Sequence, residues 1–102
     1  MCIRDSAQSH GVQCQLGCHV GETAILSAAG RIFAQHHPLK YLEGSYGPFF
    51  MEDDIARQPL FFSSGGKADR IEGNGLGIEI DPVKLERYSE PKVLIHSTLK
   101  QT

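Results

Sequence analysis

From Val12 to Val20 apolar and polar positions alternate. Val12, Cys14, Leu16, Cys18 and Val20 are apolar or soft, whereas Gln13, Gln15, Gly17 and His19 are polar or small. A period of two marks a strand with unlike faces. From Thr23 to about His36 the period lengthens to that of a helix, with Ile25, Leu26, Ala29, Ile32 and Phe33 on one stripe. Thr23 is placed to cap the helix start, Pro38 stops it, and proline steers His37 to extended backbone. The small run Ser27-Ala28-Ala29-Gly30 lets the helix backbone approach a sheet closely. The pattern therefore predicts a strand running directly into a helix, with Glu22 at the junction. In parallel α/β folds, strand C-terminal ends and helix N-termini open onto one crevice, so this junction is where chemistry is expected. The apolar strand face is expected against the helices, with Gln13, Gln15 and His19 toward the interior or its mouth.

The rest of the chain is less periodic. The first six residues, MCIRDS, show no pattern and read as a spurious or disordered leader; residues 7–11 read as a helix tail closed by Gly11. Residues 39–66 are loop-rich, mixing Tyr41, Tyr46, Phe49, Phe50, Phe61 and Phe62 with glycines and the acidic run Glu52-Asp53-Asp54. Such a stretch is either a packed loop with its own anchors or a crossover to another layer. Residues 63–66 are a turn, and residues 67–81 read as two short strands around Gly73-Asn74-Gly75. Asp81 and Pro82 have the cap-then-proline signature of a helix start. That helix should end near Tyr88, Pro91 should break it, and residues 92–97 could form a final strand.

A length of 102 residues allows at most one domain. The net charge of -2 gives no electrostatic footprint for nucleic acid or an anionic membrane. No apolar run reaches the length of a membrane span, and the first residues lack the layout of a signal peptide. Three cysteines, an odd number in no repeating framework, fit a reducing, cytoplasmic setting.

Three segments carry a family resemblance. GCHVGETAILSAAG (17–30) resembles a last barrel strand whose terminal acid precedes a small-residue helix. EGSYGPFFMEDDI (43–55) is similar to a stretch leaving the barrel, and GNGLGIEIDPVKLERY (73–88) to a closing glycine turn, strand and short helix. Together they resemble the mandelate racemase and muconate lactonizing enzymes of the enolase superfamily. Asn74 departs from the pattern, standing where that family commonly has proline.

The resemblance implies an α/β fold: the terminal βα unit of a (β/α) barrel, followed by loop-rich and short β elements that return to a capping domain. Residues 7–102 would then be an incomplete domain, with the last barrel strand at about 12–20, the last helix at about 23–36 and the returning tail at 39–102. It implies an isomerase or lyase that abstracts a proton α to a carboxylate and stabilises an enediolate with Mg2+. The magnesium ligands and most bases of such enzymes stand on strands outside these residues, the bases on the second, sixth or seventh. The partners implied are a small carboxylate substrate and the missing N-terminal part of the same enzyme, with a homo-oligomer of the full enzyme possible. The fragment alone should be inactive and poorly cooperative.

One residue matches the family's catalytic acid at the end of the last strand: Glu22. Desolvation in a barrel mouth would raise its pKa and let it donate a proton or a strong hydrogen bond. The plainer use of such a carboxylate is to stabilise the helix N-terminus. His19 could line the same mouth and touch substrate. No metal site is expected here. Cys14, Cys18 and His19 lack a second ligand pair, so the cysteines read as small buried hydrophobes. Glu52-Asp53-Asp54 reads as solvated, His36-His37 as complementing a helix C-terminus, and Gly73, Gly75 and Gly77 precede a strand rather than open a helix, which excludes a dinucleotide fingerprint. The rival reading is a small stand-alone α+β binding module whose contact surface is the aromatic 41–62 loop.

Overall fold

The computed structural model describes residues 3–44 and 46–90. Helix α1 spans Ile3–Ser9. It closes as expected on Gly11, whose φ of 73° is the left-handed conformation that favours glycine. The Gly11 and Val12 N–H groups donate back to Gln8 and Ala7 carbonyls at 3.1 and 2.9 Å, which is a Schellman closure. The helix starts earlier than the sequence pattern indicated. Arg4 donates to Gln8 one turn on and pairs with Asp5, so residues 3–6 are a helical turn and not a structureless leader.

Strand β1 is Gln15–Leu16 only, shorter than the expected 12–20. A strand is as long as its hydrogen-bonded partner allows, and β1 pairs with the equally short β2, Tyr41–Leu42. The pairing is parallel, Gln15 with Tyr41 and Leu16 with Leu42. Lys40 N–H to Cys14 O at 2.9 Å and Glu43 N–H to Leu16 O at 3.0 Å continue it at either end. Helix α2, Ala24–His36, is the crossover that parallel pairing requires. β2 lies inside the stretch read as loop, so β1 is not the last parallel strand of the chain. The result is a small α/β unit with an open, two-stranded parallel sheet that is not closed into a barrel.

Thr23 occupies the N-cap position of α2 but makes no side-chain cap bond. Asp54 does that from thirty residues away. Its carboxylate accepts the Ala24 N–H at 2.9 and 3.2 Å, and also the Ala56 N–H at 3.1 Å. At the other end His37 is extended ahead of Pro38, as expected, and its ring stacks 4.7 Å from Phe33. The buried face of α2 is not the large-residue stripe. Ala24, Ser27 and Ala28 are buried, whereas Ile25 and Leu26 are exposed. Small residues face inward because Gly47 and the 54–56 segment lie directly against the helix start. The buried apolar residues are Ala24, Ala28 and Ala56, and no large side chain is fully buried among the described residues.

Helix α3 is one short turn, Gly47–Phe50, with Pro48 in its first turn. A 3₁₀ turn at Ser64–Gly66 fills the expected 63–66 turn. The expected hairpin in 67–81 does not form. Ile80 pairs antiparallel with Ala56, flanked by Arg57 N–H to Glu79 O (2.9 Å) and Asp81 N–H to Ile55 O (2.8 Å). Ile71, on the other arm, exchanges both backbone bonds with the Gln35 side-chain amide at 2.9 and 3.2 Å. Each arm has thus found a partner other than its neighbour. Helix α4, Pro82–Tyr88, has the expected cap: Asp81 accepts from Val83 and Lys84 N–H at 2.9 and 3.3 Å. The strand expected over 92–97 lies outside the described residues.

Candidate functional site

Because β1 and β2 are parallel and in register, their C-terminal ends lie side by side. Gly17, Cys18 and His19 follow one strand; Glu43 and Gly44 follow the other. Leu16 and Leu42 are register partners and share a face, and a Cβ at Gly30 of α2 would sit 3.5 Å from Leu16 Cδ2, so that face is the helix side. Gln15, Gly17, Tyr41 and Glu43 therefore take the opposite face, the one expected to be interior.

Glu43 closes the gap between the strand ends. Its Oε1 accepts from Gln15 Nε2 at 3.2 Å and its Oε2 from the Cys18 N–H at 3.2 Å. The Cys18 thiol donates to Gly44 O. Glu22, in the loop between β1 and α2, accepts the His19 N–H at 2.8 Å. Burial, and then the Glu43 and Glu22 carboxylates, push the Cys18 thiol above its ordinary range. The two acids and the two residues expected to matter, Glu22 and His19, thus meet around one loop.

Two contacts from the 44–56 segment fix that loop. Asp54 holds the first α2 N–H, as above. Gly47 lies so close that any Cβ on it would run into the Glu22 carbonyl oxygen. The acidic run read as solvated is mostly engaged: Asp53 bonds Lys84 Nζ at 2.8 Å and the Tyr88 hydroxyl at 3.1 Å, and Asp54 caps α2. Lys84, followed by the Asp54 N–H, holds the Asp53 carboxyl down to about 2.

Beside the strand ends a cavity of about 650 Å³ runs along α2 as far as Gln35, between β2 and the 62–70 segment. Arg31 braces the far wall, donating to the Phe61 and Asp69 carbonyls with its guanidinium 4.9 Å from the Phe62 ring centroid.

No group of three or more His, Cys, Asp or Glu able to hold a metal exists among the described residues. The acids present are already used by Gln15, Cys18, His19, Ala24 and Lys84. They do not fit a magnesium centre.

Sequence reasoning missed Glu43 and Asp54. For Glu43 the available signal was Tyr41-Leu42-Glu43-Gly44, an apolar pair ended by an acid and a glycine; two residues are too few to show a period. For Asp54 no local signal exists, because its partner is remote.

No family model matches the chain, and no curated protein matches it either. Among solved structures it is similar to the crystal structure of a muconate lactonizing enzyme from Klebsiella pneumoniae, with 28% identity and a TM-score of 0.71. That match covers 87% of this chain and 25% of the other, so the chain spans about a quarter of the structure it resembles. The likeness is a distant one to an enolase-superfamily fold.

Proposed function

We propose that this chain is the C-terminal part of a magnesium-dependent isomerase or lyase of the enolase superfamily, of the mandelate racemase or muconate cycloisomerase type. The carrying observation is the β1–α2–β2 unit, which sets two parallel strand ends around an acid in a chain resembling a quarter of a muconate lactonizing enzyme. The reaction proposed is removal of a proton α to a carboxylate.

Strand order assigns the roles. β2 follows β1, so β2 takes the place of the last barrel strand and Glu43 takes the place of the terminal acid that the sequence reading gave to Glu22. β1 becomes the penultimate strand, a position at which this family carries bases, and His19 stands just beyond it. An imidazole titrates near neutrality and is suited to take the α proton. In the free chain two donors keep Glu43 an acceptor. A substrate carboxylate set against it is a like charge, which favours the protonated form and turns Glu43 into a donor. Glu22 sets the loop by accepting the His19 N–H, and so fixes where the imidazole stands. The magnesium ligands and the capping domain belong to the rest of the enzyme, since the acids here do not form such a centre.

The test is to read the frame upstream of residue 1, express the whole protein and follow α-proton exchange of carboxylic acids in D2O by NMR. Exchange that is lost in His19→Asn and reduced in Glu43→Gln, with the fold intact, is the expected result. A frame without acidic strand ends, or a whole protein that exchanges no α proton with magnesium present, overturns the proposal.

A further inference from the structure

We infer that the groove along α2 is the seat of an amphipathic helix, supplied by the preceding part of the same protein and lying parallel to α2. The inference rests on the proposal that such a preceding part exists, and adds where it docks and in which direction.

The apolar stripe of α2 is turned to this groove and not to a core of the chain's own. Leu26, Ala29 and Phe33 line it, with Gly30 and Ala34 between them. Leu26 is 59% exposed. Small residues among larger ones form the surface that lets a second helix approach closely. The opposite wall is Leu42, which is 60% exposed on the helix side of the sheet. A parallel sheet carries helices over such a face, and β1 has α2 for this purpose. The helix after β2 is α3, only four residues long, so Leu42 has no cover of its own. The lining is a helix face and a strand rather than a few convergent polar groups, which favours a helix over a small molecule as occupant.

Charge sets the direction. Glu22 and Glu43 stand at the end of the groove nearest the α2 N-terminus, and Arg31 and Arg70, with Asp69, toward the other end. A helix dipole is positive at its N-terminus. The incoming helix therefore has its N-terminus beside Glu22 and Glu43, which makes it parallel to α2.

The experiment compares thiol labelling of Leu26→Cys and Ala34→Cys in the 102-residue chain and in the whole protein, read site by site by mass spectrometry against the same variant in urea. Labelling at both sites is expected to be at least tenfold slower in the whole protein. Cross-links from position 26 are expected on the N-terminal half of one upstream helix, and from position 34 on its C-terminal half. Unchanged labelling, reversed cross-links, or cross-links to a second copy or to residues 91–102 overturn the inference while leaving the proton-exchange test of the enzyme untouched. Absence of any upstream frame overturns both.

Discussion

Replacing Asp54 with alanine removes the one carboxylate that holds the start of α2. Its oxygens accept the Ala24 N–H at 2.9 and 3.2 Å and the Ala56 N–H at 3.1 Å. Ala24 is 1% exposed and Ala56 is fully buried, so water cannot readily take over either bond. Loss of a helix cap costs about 0.5–2 kcal/mol, and a buried donor left unsatisfied about 1–3 kcal/mol. These overlap at Ala24, which gives about 2 kcal/mol for opening the first turn of α2, or about 30-fold in the opening equilibrium. Amide hydrogen exchange of Ala24 reads that opening directly, without requiring a cooperative global melt. Asp54→Asn keeps an acceptor and loses the charge at the helix N-terminus, about 0.5 kcal/mol, so exchange should rise only about twofold. Thr23→Ala should change little, because the threonine makes no cap bond. If Thr23→Ala speeds Ala24 exchange as much as Asp54→Ala, or if Asp54→Ala leaves it unchanged, the remote-cap argument is wrong.

Further outcomes follow from other contacts. Asp53 has a depressed native pKa of about 2 against an ordinary 3.8, so its hold on α4 through Lys84 is complete above the ordinary value and is lost as pH falls through about 2; the α4 amide shifts should titrate there, and Asp53→Asn should abolish that acid transition. Gly47→Ala drives a Cβ into the Glu22 carbonyl and should cost about 1–3 kcal/mol, seen as faster exchange of the His19 and Ala24 amides, whereas Gly17→Ala, whose Cβ would meet Glu43 Oε2 at 3.6 Å, should be tolerated. Gln35→Ala frees both backbone groups of Ile71 and should cost about 1–2 kcal/mol locally, detected as protease cleavage within 61–71 that the parent chain resists.

The candidate site was half legible. Glu22 and His19 could be placed at a strand-to-helix junction because one period stops and another starts there. Which strand came last could not be read: β2 is two residues long, and its identity as a strand lies wholly in its pairing with β1. Moving the last strand from β1 to β2 moves the terminal acid from Glu22 to Glu43. The error in the α2 stripe has a related origin. Periodicity finds the apolar face of a helix, and here Leu26 and Phe33 face a groove while Ala24, Ser27 and Ala28 meet the rest of the chain.

The sequence alone determined α2 and α4, the left-handed stop at Gly11 and the Asp81 cap, because helix periods, caps and breakers act within four residues of their partners. Tertiary structure alone decided the length of β1, the existence of β2, the diversion of the 67–81 arms to Ala56 and Gln35, and the transfer of the α2 cap from Thr23 to Asp54. Each of those depends on a partner twenty or more residues away, or forty in the case of Gln35 and Ile71 to the nearest ten, and such pairing is settled only when the chain comes together in space.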